Sequence, residues 1–296
     1  MALALAVFLW LIPGSAWAFG PITHVDLGLE VLAQAGVLAA AISRLIRNRS
    51  QAFLLGTLGP DRVVAKNLVP YARHSHNWER IFRLLAETRD EEERAALLGY
   101  LCHLAADAVA HNFFVPSKLA ESWRFAIARH TYWEMRLDGR VRNGARTIVL
   151  KRLGFDDPEH YRFLSRVIPP TWLGTRVNAE LTGMALRVQD GPAFDRLERF
   201  LDRRSALPLT DAESADVRRL AIAAQMDALE RLQLAPVTGL DPRGLRALRE
   251  AAALRRQIRR GGQSDDVIAA TLRSARRQFR EAVEALAPGA ACGRTG

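Results

Sequence analysis

Leu101-Cys102-His103-Leu104-Ala105-Ala106-Asp107-Ala108-Val109-Ala110-His111 is the stretch that decides the fold. Ala and Leu dominate it, and neither Gly nor Pro interrupts, so it reads as helix. Steps of four residues stay on one helical face, each about 40° round from the last. His103, Asp107 and His111 therefore share one polar seam. Leu98, Leu101, Leu104, Val109, Phe113 and Phe114 surround the seam with apolar side chains, which predicts a helix buried nearly all round. A carboxylate and two imidazoles in such a place must be paired or metal-bound, because an unpaired buried charge is expensive. Two readings stand at this point, a His–Asp–His hydrogen-bonded network in a core or a metal site. At roughly 1.5 Å per residue, His103 and His111 lie about 12 Å apart along the axis. Metal–ligand bonds are only about 2.0 to 2.2 Å long, so one ion cannot hold both ends. A metal site here means more than one metal.

The rest of the composition is that of a soluble globular protein, 49% apolar and 25% charged over 296 residues. That length allows one large domain, or a domain and an extension. The net charge of +10 is carried almost wholly by Arg; it suits anionic partners such as phospholipid surfaces or nucleic acid, and it equally describes a solvated basic surface. Two cysteines, Cys102 and Cys292, exclude a disulfide framework. Cys102 lies about 100° round the helix from His103 and reads as a buried structural thiol.

Residues 1–18 have the form of a secretory signal, with an apolar core from Leu3 to Ile12 and Ala16-Trp17-Ala18 as an A-x-A cleavage site. No Lys or Arg precedes Arg44, so the usual basic leader is missing. Export to the periplasm or medium is the expectation, with no transmembrane helix in the mature chain. Processing after Ala18 leaves Phe19 with a free α-amine, whose pKa of about 7.7 to 8.0 lets a metal displace its proton readily. His24 follows in Phe19-Gly20-Pro21-Ile22-Thr23-His24, at the head of a helix expected from near Thr23 to about Arg47. On its own, His24 reads as a helix-terminal residue or as a ligand.

Leu58-Gly59-Pro60-Asp61 closes a short helix with turn signals and delivers Asp61 from a rigid corner. His74-Ser75-His76-Asn77-Trp78-Glu79 opens a further helix to about Thr88; residues two apart do not face the same way, so His74 and His76 do not both serve one ion. Pro116 is expected to end the seam helix. His130-Thr131-Tyr132-Trp133-Glu134 then places a His and a carboxylate four apart, either chelating one ion or pairing on a surface. Six of the seven histidines fall between His24 and His130; only His160 lies outside. That clustering, with carboxylates at chelating spacings, points to zinc held by O and N donors.

In these residues the chain resembles the bacterial zinc-dependent phospholipase C family and its wider superfamily, which includes single-strand-specific zinc nucleases. The resemblance is carried by the exported N-terminus followed by Gly20 and Thr23-His24, the Leu-Gly-Pro-Asp61 turn, His76 before an aromatic helix, His103-x3-Asp107-x3-His111 and His130-x3-Glu134. It spans roughly 19 to 140. It implies an all-α, multi-helix bundle with three zinc ions in a cleft. By that resemblance Asp61, His76, His103 and Asp107 hold one ion; the Phe19 amine and carbonyl, with His24 and a bridging Asp107, hold its close partner; His111, His130 and Glu134 hold the third. Phe19 stands where the family usually begins with Trp, a change that main-chain ligation tolerates. Paired zincs about 3.5 to 4 Å apart deprotonate a bridging water at neutral pH and stabilise charge on phosphorus. The implied reaction is attack of the zinc-bound hydroxide on a glycerophospholipid at a membrane surface, releasing diacylglycerol and a phosphorylated headgroup, with Asp61 as ligand or catalytic base. A single-strand nuclease or phosphatase is the alternative enzyme, with nucleic acid as substrate; the terminal His-x3-Glu resembles the phospholipase branch, whereas the nucleases usually carry His-x3-Asp. A non-catalytic binding protein stabilised by closed metal sites is the alternative outside enzymes. Trp78, Trp133, Phe113 and Phe114 read as core aromatics or as walls of a headgroup pocket.

Beyond about 141, helices are expected at roughly 172–187, 191–203, 209–236, 241–260 and 264–286, separated by Gly, Pro and Asp breaks. The organisation expected is a signal over 1–18, a catalytic domain over 19–205, and a helical C-terminal extension over 206–296 with a disordered tail from Pro288. One apolar stripe runs from Val267 through Ile268, Leu272, Ala275, Phe279 and Val283 to Leu286. The Arg255-Arg256 and Arg259-Arg260 cluster reads as a solvated face or as a contact for anionic lipid.

Overall fold

The computed structural model describes residues 19–61, 74–124, 130–141, 144–151, 196 and 208–285. The signal over 1–18, His160, the helix expected at 172–187, all but residue 196 of the helix expected at 191–203, and the tail from Pro288 lie outside the described residues. Among the described residues every regular element is helical and no strand occurs, so the protein is all-α.

The seam stretch forms the second half of a 19-residue helix, α5 (Glu91–Val109), in the middle of the molecule, and the last two residues of the stretch, Ala110 and His111, enter the turn that follows. Asp90 caps it, accepting the Glu93 N–H at 2.9 Å, and Glu91, Glu92 and Glu93 favour its positive end. From Ala95 to Val109 it is buried without a break. Its walls are α1 (Pro21–Gln34), α3 (Ser50–Leu58), α4 (Trp78–Glu87) and, from far along the chain, α9 (Asp211–Arg231). Gln225 Nε2 on α9 donates to the Cys102 carbonyl at 3.1 Å, and the burial that surrounds Cys102 pushes its thiol up and leaves it inert.

The first helix is shorter than its sequence pattern. α1 stops at Gln34, a 3-10 turn covers Ala35–Val37, and α2 (Ala40–Asn48) restarts after it. Gly36 and the exposed turn around it break a run of helix-formers that hydrophobic spacing alone joins. Pro116 also behaves differently from expectation. It does not end the seam helix: α5 runs into a π-helical turn, Ala110–Phe114, and then into α6 (Val115–Glu121), with Pro116 in the first turn of α6. The Val115 N–H reaches back five residues to the Ala110 carbonyl. Bonding already changes pitch here, so the donor that proline lacks falls where a regular helix has been interrupted.

α6 carries a buried Lys118 that binds Glu121 at 2.9 Å and Glu213 of α9 at 2.6 Å, while Arg276 of α11 (Asp265–Glu284) binds the same two carboxylates. Burial opposes charge on Glu213, but Lys118 and the Thr210 and Arg276 donors outweigh it and hold the carboxyl down to about 2. α10 (Leu245–Arg260) lies along α6, and α11 lies along α6 and the π turn, so the C-terminal helices share the core. The predicted stripe on α11 is buried at Ile268, Phe279 and Val283, but Val267 is exposed. α7 (His130–Asp138) and α8 (Ala145–Lys151) pack against α1. Trp78, Trp133, Phe113 and Phe114 are all buried core aromatics.

α3 and α5 meet backbone to backbone. A Cβ on Gly56 would fall 1.9 Å from the Ala96 carbonyl oxygen, and one on Gly99 would fall 1.9 Å from the Phe53 oxygen. No side chain fits between these helices, and neither backbone can give way without moving its helix. Replacing Gly99 by Ala is expected to lower stability by about 1–3 kcal/mol or more in urea unfolding, whereas the same change at exposed Gly262, with nothing within 4 Å, leaves it near wild type.

Candidate metal centre

Five polar side chains converge where α1, α3, α5 and the segment before α4 meet. α5 contributes His103 and Asp107 from its seam. The 3-10 turn Gly59–Asp61 ends α3 and presents Asp61. His76 comes from the short run before α4, whose N-cap Asn77 accepts the Arg80 N–H at 3.2 Å. His24 comes from the first turn of α1. All five are buried, with Asp61 the most open at 5%.

Asp107 divides its two oxygens. Oδ2 lies 2.8 Å from His76 Nε2 and 3.3 Å from His103 Nε2, while Oδ1 lies 3.2 Å from His24 Nε2. Asp61 Oδ1 is 3.5 Å from His76 Nε2 and 3.8 Å from His103 Nε2; its Oδ2 is 3.9 Å from His24 Nε2. The His76 and His103 Nε2 atoms are 3.2 Å apart. Two donors on one tetrahedral zinc stand about 3.4 Å apart, given bonds near 2.0–2.2 Å, and these separations scatter around that value. The short contacts do not make good hydrogen bonds: both Asp107 oxygens and both His24 nitrogens are buried without a partner of acceptable hydrogen-bond geometry. Donor atoms gathered round a common point in this way form a group that could hold a metal ion. The donor set of imidazoles and carboxylates is one that zinc accepts.

The imidazoles are held from behind. His103 Nδ1 lies 2.7 Å from the Thr57 carbonyl oxygen, an atom that only accepts, so Nδ1 carries the proton and Nε2 the lone pair. Thr57 reaches that position because Gly56 and Gly99 let α3 touch α5. His76 Nδ1 sits 3.1 Å from Ser75 Oγ, and the His76 backbone N–H donates to His74 Nδ1 at 2.9 Å. His76 therefore faces the carboxylates, and His74 supports the turn that presents it. The Tyr100 hydroxyl donates to the Ser75 carbonyl at 2.5 Å from α5. The His24 and His103 rings stack with centroids 3.7 Å apart.

Electrostatics follow from this crowding. Burial opposes charge on Asp107, but His103 and the other imidazoles outweigh it and hold the carboxyl well below the usual range. Burial and the neighbouring His103 push His24 down. On His103 burial lowers, but Asp107 and Asp61 raise the value more and leave it above the ordinary imidazole. The two stacked rings are thus pushed in opposite directions, His103 toward the charged form and His24 away from it.

A second group forms where the π turn meets α7. His111, His130 and Glu134 bring donor atoms within 4.8 Å of one another, as do Asp61, His76, His103 and Asp107 in the first group. His130 Nε2 is 3.0 Å from Glu134 Oε1, and the His111 and His130 rings meet edge-on at 4.7 Å. Glu134 is buried, so this is not a surface pair. Phe19 lies fully buried with its ring 5.8 Å from that of His24.

With this geometry in place, comparison with known proteins can be read: the model of the zinc-dependent phospholipase C family matches residues 22–187. The chain belongs to that family. No curated protein and no solved structure matches it. Zinc dependence and a phosphodiesterase-type hydrolase activity come with the family. The family match ends before α9, so the helices from 208 onward lie beyond it. No described helix is long and apolar enough to cross a membrane.

One residue of this region escaped the sequence reading. Asp138 accepts both the N–H and the hydroxyl of Thr23, at 2.8 and 2.6 Å, and so pins the start of α1 one residue before His24. A Cβ at Gly20 would fall 2.0 Å from Asp138 Oδ2. The signal was present, since Asp138 stands four residues after Glu134, as Glu134 does after His130. Burial pushes its carboxyl from the ordinary 3.8 up to about 6, although the Thr23 donors pull the other way. The folded chain thus holds this proton more tightly than the unfolded chain, and stability falls as pH rises from about 4 to 6. Asp138→Asn is expected to remove that component, on the order of 3 kcal/mol. Urea unfolding of both proteins at pH 4 and 6.5 checks it; a stability difference between them that does not change with pH counts against this account.

Proposed function

We propose that the chain is an exported phospholipase C that hydrolyses a glycerophospholipid to diacylglycerol and a phosphorylated headgroup. The observation that carries the reading is Asp107, whose two oxygens face separate sets of nitrogen donors in a dry core. In this reading Asp61, His76, His103 and Asp107 hold one zinc. Asp107 and His24 hold a second with the Phe19 main chain, and His111, His130 and Glu134 hold a third. The placement of Phe19 beside His24 supports the Phe19 part, and cleavage after Ala18 would supply its α-amine. Bound zinc supplies a water nucleophile at neutral pH and charge stabilisation on phosphorus.

The chain's own groups do the rest. Asp107 fixes the spacing of the two neighbouring donor sets. The Thr57 carbonyl keeps His103 Nδ1 protonated and its Nε2 turned inward. Asp61 Oδ1 faces His76 and His103, while its Oδ2 lies toward His24, 3.9 Å from Nε2. In this reading Asp61 would take the proton as water adds to phosphorus and return it to the glycerol oxygen as the P–O bond breaks, so that diacylglycerol leaves as the alcohol. The buried aromatics Trp78, Trp133, Phe113 and Phe114 do not serve as headgroup walls; they hold the donor-bearing elements in place.

The test is zinc analysis of protein with an authenticated Phe19 start, together with hydrolysis of phosphatidylcholine vesicles and of single-stranded nucleic acid, with and without chelator. Bound zinc and chelator-sensitive release of phosphorylcholine are expected, with Asp107→Ala reducing turnover by more than about 100-fold. Zinc with turnover on nucleic acid alone would replace the lipid assignment, and absence of zinc would end the metal reading.

A further inference from the structure

Three successive backbone carbonyls outside the family match face the donor-bearing elements. Trp78 Nε1, two residues after His76, donates to the Leu240 carbonyl at 2.8 Å. Asn112 Nδ2 donates to the Asp241 carbonyl at 2.9 Å and to the Ala108 carbonyl at 2.8 Å, which spans α5 and the π turn. His111 Nδ1 lies 2.5 Å from the Pro242 carbonyl. A carbonyl only accepts, so His111 Nδ1 must carry the proton, and its Nε2 is left as the lone-pair donor toward His130 and Glu134.

The turn that presents these oxygens is stiff. Asp241 Oδ1 accepts the Arg243 N–H at 3.1 Å, the Asp241 carbonyl accepts the Gly244 N–H at 2.8 Å, and Pro242 has a fixed φ. Gly244 then adopts φ +55°, a left-handed conformation, and presses on the π turn: a Cβ there would lie 2.2 Å from the His111 carbonyl oxygen and 2.5 Å from His111 Cβ. Only glycine meets both demands. α10 begins at the next residue and lies along α6, so the turn is anchored on its far side.

We infer that the Leu240–Gly244 turn is a positioning element of the metal centre, in which the Pro242 carbonyl sets the tautomer and angle of His111 and so tunes the affinity of the second donor group. This rests on the zinc reading above. It assigns to the C-terminal helices, which the family match does not cover, the task of completing a site whose donors all come from the N-terminal half. Partners behind metal-bound histidines commonly carry a 10- to 100-fold effect on metal affinity, which sets the expected scale.

The experiment compares full mature wild type with Gly244→Ala, Asn112→Ala and Gly239→Ala, each loaded with zinc and dialysed against graded chelator. Gly239 has nothing within 4 Å of its Cβ position, so its variant is the control for changes in this loop. Gly244→Ala and Asn112→Ala are expected to release one class of zinc at chelator concentrations about 10 to 100 times lower, with the remaining zinc and the Gly239→Ala protein unchanged. A merely structural turn would not give that selectivity. If Gly244→Ala does not fold, Asn112→Ala decides. Folded variants that keep every zinc as wild type does, or that shed all zinc together, overturn the inference while leaving the metal reading intact. A wild type that takes up no zinc removes both.

Discussion

The interior of this protein is organised by a single electrostatic problem. Asp61, Asp107 and Glu134 are carboxylates with almost no access to water, and five imidazoles crowd against them. Desolvating one ion costs several kcal/mol even after relaxation, and Asp107 faces His24, His76 and His103 at 2.8 to 3.3 Å with no access to water. Helix burial, glycine contacts and backbone carbonyls all serve to hold these groups in a place they would otherwise leave. Zinc, on which the family depends, is a species that would turn such an arrangement from a liability into a source of stability.

Holding such groups in register requires a scaffold that does not yield. α3 reaches α5 at backbone distance through Gly56 and Gly99, and this contact aims the Thr57 carbonyl at His103. The π turn does comparable work at the other end of the seam, where it lets the chain pass Pro116 without losing helical direction and keeps His111 inside. Wide turns of this kind recur at functional sites because they re-aim a side chain without ending the helix. The two donor groups are thus positioned by different devices on one continuous rod.

Much of this was legible in the sequence. The four-residue spacing of His103, Asp107 and His111 within an apolar run gave the seam, and the apolar run gave the buried helix. His130 and Glu134 were readable for the same reason. Helix ends were harder: the run through Gly36 looked continuous because Ala and Leu on both sides mask a short turn, and Pro116 looked final because side-chain identity does not report a change of helical pitch. The carbonyls of Thr57 and Pro242 were not readable at all. Every residue carries a carbonyl, so its use in holding an imidazole leaves no mark in composition or spacing, and contacts across 46 and 131 residues have no local signature.

α7 places His130, Glu134 and Asp138 on one face at equal intervals, and the last of these grips α1 beside His24. Nine residues therefore serve both donor groups through one helical phase. Adding or deleting a single residue inside this segment would rotate everything after it by about 100°, withdrawing Asp138 from Thr23 or parting Glu134 from His130. Point changes can be absorbed along α7 wherever the side chain is idle, but its length is fixed.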